Sequence, residues 1–161
     1  MKIVRFVCIS FIALALANAP GIGQKSASAA WGSPANFSGF SWITPSSASG
    51  AAPSKGTVCN YSADAKGSTS TACWQRSGDV VWVKDQRADG RSAIARISVI
   101  VGGSRDTKFV CRNKLGVGKW VKCTKNLAEP GTIFFKACAY DAKANRMSTD
   151  CTAAQSAALA V

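Results

Sequence analysis

Six cysteines constrain this chain more than any other feature. The sequence holds seven, and the first, Cys8, lies in an apolar leader. The remaining ones are Cys59, Cys73, Cys111, Cys123, Cys138 and Cys151. An even number in a short exported chain predicts three disulfides, which persist only in an oxidising compartment. The spacing suggests which pairs form. Facing residues of an antiparallel pair have a constant sum of positions, so two cysteines close a hairpin when their midpoint falls in its turn. Cys59 and Cys73 are centred on Lys66, inside "DAKG". Cys111 and Cys123 are centred on Val117, inside "LGVG". Cys138 and Cys151 are centred between Ala144 and Asn145, inside "AKAN". Sequential pairing is therefore the expected one of the fifteen connectivities that six cysteines allow. Zinc is the weaker alternative, because there is no C-x-x-C pair and no histidine.

Export is read from the N-terminus. Lys2 and Arg5 precede or interrupt an apolar run from Ile3 to Ala17, and "SASAA" offers a small-residue cleavage site after Ala29. Cys8 is not a lipoprotein cysteine, since "RFVC" lacks small residues before it. The run is too short for a convincing membrane span, as is the apolar tail "TAAQSAALAV". The expected organisation is a signal over residues 1–29, an extended segment over 30–56 and a folded domain over 57–161, in a soluble, extracellular protein.

Short alternating runs separated by Gly and polar turns fill the folded part. "TVCNY" and "TACWQ" form a first pair, and "DVVWVKD" and "RSAIARISVIV" follow as strands. "TKFVCRN" and "KWVKCTK" flank "KLGVG", and "TIFFKACAY" precedes a short return through "RMSTDC". No stretch sustains a helical period. This pattern predicts an all-β domain, a small antiparallel sandwich or barrel of hairpins held by three disulfides.

Charge narrows the partners. Removing Lys2, Arg5 and Lys25 with the signal leaves 17 basic residues against 8 acids, a net +9. Such a charge favours anionic surfaces, though a solvated face would carry it as well. In the hairpin around "KLGVG", Phe109, Cys111, Val121 and Cys123 are expected on the core side. Lys108, Arg112, Trp120 and Lys122 would share the opposite side, a candidate site for a phosphate or a sugar ring. The plainer reading of that side is an ordinary solvated face.

Catalytic groups are sparse. The lack of histidine removes Ser–His and Cys–His nucleophile pairs and histidine acid–base chemistry. Glu129 is the only glutamate, and the seven aspartates fall at strand ends or turns, where Asp serves turn geometry. "VIVGGSRD" is no phosphate loop, and no coenzyme site is visible. A non-catalytic protein without a cofactor is expected.

Residues 30–56 carry linker composition yet include Trp31, Phe37, Phe40, Trp42 and Ile43. Flexible tethers normally lack such side chains. Two readings compete: an additional strand on the same domain, or a tethered peptide that docks into a partner. The long Ser/Ala/Gly/Pro spacer between the aromatics and Cys59 favours the second.

The order of features resembles the small cationic secreted proteins of Streptomyces and related actinobacteria. The resemblance rests on the export signal, the Ala/Ser/Pro segment, and the β-domain stretches "CRNKLGVGKWVKC" and "FFKACAYD". One group with this plan is the adaptor subunit of umbrella toxin particles, which joins a lectin-bearing subunit to a large toxin stalk. The resemblance implies a secreted adaptor, with Trp31, Phe37, Phe40, Trp42 and Ile43 contacting one partner and a face of the domain holding the other. Two alternatives stand beside it: a cationic antimicrobial or toxin-like protein acting on anionic envelopes, and a hydrolase inhibitor presenting "KLGVG".

Overall fold

The computed structural model describes residues 37, 39–48, 50–52, 54–147 and 151–159. Strand follows strand with no helix among the described residues, as the alternation predicts. They are β1 (Ser41–Ile43), β2 (Ser46–Ser47), β3 (Thr57–Asp64), β4 (Gly67–Gln75), β5 (Val80–Asp85), β6 (Ser92–Val101), β7 (Ser104–Arg112), β8 (Trp120–Thr124), β9 (Gly131–Asp141), β10 (Arg146–Met147) and β11 (Gln155–Ala158).

These strands form two sheets. The first runs β1-β7-β6-β9-β10, with β11 also paired to β9. The second runs β2-β8-β5-β4-β3. Every pairing between strands is antiparallel except β1 on β7, which is parallel. The sheets stack as a sandwich. Alternate residues of the longer strands β4 to β9 meet between them, including Trp74, Val81, Val83 and Val121 from the second sheet and Ile97, Phe109, Ile133 and Phe135 from the first. Every second position turns inward because successive side chains point to opposite faces.

All three expected disulfides are present, joining Cys59 to Cys73, Cys111 to Cys123 and Cys138 to Cys151. They fit an oxidising environment. Only the first faces its partner directly across a hydrogen-bonded hairpin. Cys151 reaches Cys138 from the chain ahead of β11, outside any strand.

The middle pair corrects the sequence reading. Strands β7 and β8 are not a hairpin, because they belong to different sheets. The chain crosses between sheets over residues 113–119, and Cys111–Cys123 links the two layers, with both cysteines buried. The midpoint argument does not separate the two cases. A symmetric return brings the same residues together whether the strands meet edge to edge or face to face. Asn113 decides it here. Its backbone N–H donates to Ala93 O of the first sheet at 2.9 Å. Its Nδ2 donates to Val83 O of the second at 3.1 Å and to Lys119 O at 2.7 Å, and its Oδ1 accepts from Leu115 N at 2.9 Å. A buried amide whose bonds reach both layers ties the crossing in place.

The N-terminal segment belongs to the same domain. Residues 41–43 border the first sheet and residues 46–47 the second, so the segment closes one side of the sandwich. Ile43 packs into the main core. Phe37 and Phe40 lie on the outer face of the first sheet against Ile94, Val110, Cys138, Tyr140 and Met147.

Candidate functional site

The outer face of the second sheet gathers side chains far apart in sequence. Register places Tyr61 beside Thr71, Thr71 beside Lys84, and Lys84 beside Trp120. The neighbouring row runs Cys59, Cys73, Trp82 and Lys122. All point outward because their neighbours Asn60, Ala72, Val83 and Val121 point in.

Three aromatic rings stand on this face. Trp82 and Trp120 meet edge to face, with centroids 6.4 Å apart and planes at 82°. Tyr61 is 58% exposed. The polar groups between them are oriented. Trp82 Nε1 donates to Gln75 Oε1 at 2.8 Å, and Gln86 Nε2 donates to Thr71 Oγ1 at 2.7 Å. Lys84 Nζ lies 5.9 Å from the Trp120 ring centre.

A strap crosses above. Of the chain that leaves β2 at one edge of the sheet and enters β3 at the other, residues 48, 50–52 and 54–56 are described. Ala48 N donates to Trp120 O at 3.3 Å, and Arg76 N donates to Gly56 O at 3.2 Å. The sheet is roughly 19 Å wide over four strand spacings, while nine residues can span roughly 30 Å. The strap therefore has slack to arch. Ala52 and Ser54 face Tyr61, Thr71, Gln86 and Trp120 across an open groove of about 470 Å³. The spacer that looked like a tether in the sequence forms one wall of this groove.

The residues singled out from the sequence are dispersed. Lys108 and Arg112 lie on the outer face of the first sheet, whereas Trp120 and Lys122 lie on that of the second. The four do not form one anion site, because the layers of the sandwich separate them. Trp31 lies outside the described residues. Phe37 stands 5.0 Å from Trp42 and 5.6 Å from Tyr140. Phe40 covers Arg96 and approaches Lys108. Trp42 stands 5.2 Å from Tyr140 and is 45% exposed. The structure thus realises the strand-on-its-own-domain reading for this segment, rather than the free peptide that the spacer favoured. Burial of Phe37, Phe40 and Ile43 against the domain supplies the reason.

Most carboxylates serve the fold. Asp64 forms an ion pair with Arg87 at 2.6 Å, and this hydrogen bond, helped by Lys66 N–H, lowers its pKa. Asp79 accepts from Leu127 N, Asp85 from Arg87 N, Asp89 from Arg91 N, and Asp141 from Lys143 N and Ala144 N. No cluster of His, Cys, Asp or Glu suited to a metal occurs among the described residues. No helix there is long and apolar enough to cross a membrane.

Sequence reasoning missed Tyr61 and Trp82 as site residues. Alternation in "TVCNY" and "VVWVK" places both outward, but that Trp82 meets Trp120, and that Tyr61 shares a groove with it, depends on long-range strand order.

No family model, curated protein or solved structure matches this chain.

Proposed function

We propose that this chain is a secreted, non-catalytic binding protein whose working surface is the strapped aromatic groove, and that its ligand is a saccharide chain. The observation that carries this reading is the placement of Tyr61, Trp82 and Trp120 on one outer sheet face among oriented amide and hydroxyl groups. Sugar rings have apolar C–H faces and polar hydroxyl rims. Aromatic rings match the first, and Gln, Thr and Lys side chains match the second. The groove is open, which suits a polymer running along the sheet. The fixed structural roles of the aspartates support a non-catalytic protein. The three disulfides and the leader-like N-terminus support secretion. In an adaptor, the role implied by the resemblance, this groove would supply one of the contacts.

The test is calorimetric titration of the mature protein with neutral, acidic and amino-sugar oligosaccharides. At least one class should bind, and Trp120→Ala and Tyr61→Ala should each weaken it about tenfold, the scale of one to three kcal/mol per ring stack. Retained circular dichroism would show that the fold survives. Failure of every class would overturn the reading.

A further inference from the structure

A second cleft lies on a different part of the molecule, between the N-terminal segment and the crossing at residues 113–119. It encloses about 260 Å³ and is lined by Trp42, Pro45, Arg112, Lys114, Leu115 and Val121 among others. Its walls are apolar and open to solvent: Trp42 is 45% exposed and Leu115 is 52% exposed. Exposed large apolar side chains on both sides of one cleft make it a candidate binding surface.

Two cations border the same cleft. Arg112 rests on the Tyr140 ring, 4.9 Å from its centroid, and donates from Nη2 to Ser92 Oγ at 2.9 Å. Its Nε is buried and makes no hydrogen bond. Lys114 is exposed at the edge. Among the described residues, no carboxylate forms an ion pair with Arg112 or Lys114. Stacking and the Ser92 bond hold the guanidinium in place, which lessens the entropy lost when it binds an anion.

We propose that this cleft binds an apolar carboxylate, with its hydrocarbon or aromatic body between Trp42 and Leu115 and its charged head on Arg112 and Lys114. An inorganic anion would leave the apolar walls unused. A neutral hydrocarbon would leave two cations unmatched. The volume lies below the roughly 300–1,000 Å³ of drug-sized sites, so it suits one large side chain or a short acyl chain. The same chemistry is offered by a free amphiphilic acid and by the C-terminus of a polypeptide ending in an apolar residue. This site is independent of the saccharide groove, which lies on the outer face of the second sheet.

The experiment uses the full mature chain and four probes: octanoate, octanamide, the peptide Gly-Gly-Ala-Phe with a free C-terminus, and the same peptide amidated. Binding is read by calorimetry and by the Trp42 indole NMR signal. At least one acid should bind about tenfold more tightly than its amide, since the charge-assisted bonds are lost with the charge. Arg112→Gln should erase that preference, and Lys114→Gln should reduce it. Leu115→Ala should weaken acid and amide alike. Octanoate binding alone would assign a free acid, peptide binding alone would assign a chain end, and binding of both would assign the shared chemistry. Equal binding of acid and amide, unchanged binding by Lys114→Gln, or no binding of any probe would overturn the proposal. Lys114 is exposed, so its variant decides the matter even where Arg112→Gln does not fold.

Discussion

The ring of Phe40 lies over the guanidinium of Arg96, with 4.3 Å between the ring centroid and Cζ. Arg96 is only 3% exposed, and burial lowers its pKa below the usual arginine value. Lys136, its cross-strand neighbour, is lowered by desolvation and by the Arg96 charge. The aromatic N-terminal segment thus covers a cationic stretch of sheet that would otherwise face water. Phe40→Ala should lower stability by about 2 kcal/mol, less than a full core deletion because Phe40 is half-buried. Urea unfolding checks this. No change in midpoint would show that the segment is not held to the domain in solution.

Cys111–Cys123 crosses between the sheets, whereas Cys59–Cys73 lies within one. The loops closed are similar, with separations of 12 and 14 residues, so loop entropy assigns each roughly 3 kcal/mol. Position makes the difference. Cys111 and Cys123 both belong to the main core, and only Cys73 of the other pair is buried. The double variant C111A/C123A should therefore be the less stable of the two double Ala variants. Comparing their urea midpoints is sufficient, and the reverse order would place the critical joint within the second sheet.

The strands were legible because alternation is local: "DVVWVKD" announces inward Val81 and Val83 without reference to any other strand. The cysteine pairs were legible for a related reason, since a symmetric return conserves the sum of positions. The partition into two sheets was not. Phe109 and Val121 point inward in either a hairpin or a crossing, and only long-range pairing, of β7 with β6, of β8 with β5 and of Asn113 with both layers, distinguishes them. The parallel pairing of β1 was hidden because it depends on where β7 presents an edge. The aromatic groove was hidden likewise, since Tyr61 and Trp120 come to line it, with Trp82 against Trp120, only after β3, β4, β5 and β8 are in register.

Two aspartates should show opposite pH behaviour. Hydrogen bonding to Arg87 lowers the Asp64 pKa below 3.8, so its ionised form favours folding. That contribution is present above 3.8 and is lost as pH falls through the folded value. Desolvation raises the Asp85 pKa above 3.8, against the opposing hydrogen bond from Arg87 N–H. Its ionised form therefore costs stability above the folded value, and the cost falls away as pH drops through the folded value and is gone below 3.8. Asp64→Asn should destabilise at neutral pH and Asp85→Asn should stabilise, with both effects shrinking in acid. Unfolding free energies between about pH 2 and 7 test this, and parallel profiles would refute it.

Gly131 has no room for a side chain. A Cβ there would stand 2.7 Å from Ile100 O and 2.9 Å from Leu159 Cδ1. Leu159 is buried, and its N–H donates to Gly131 O at 2.9 Å. Gly131→Ala should push the C-terminal strand from β9 and cost about 1–3 kcal/mol. Hydrogen exchange of the Leu159 amide reports the local effect. Undiminished protection together with unchanged stability would show that the backbone shifts freely at this point.

The strap makes the groove testable from its outer wall. Ser54 faces the groove yet is exposed, so a larger side chain there meets neither core nor sheet. Ser54→Trp should leave stability within about 0.5 kcal/mol, as surface changes usually do. It should nevertheless fill part of the space opposite Tyr61 and Trp120 and reduce saccharide affinity, while Lys55→Gln, just beyond it, should have a smaller effect. Calorimetry with whichever oligosaccharide binds the wild-type protein measures both. Loss with Ser54→Trp but not with Trp120→Ala would move the ligand off the rings and onto the strap. Loss with Trp120→Ala alone would place it on the open sheet face, outside the covered space. Loss with both fixes it between the two, where its ring faces meet the aromatics and its hydroxyls meet Thr71 and Gln86.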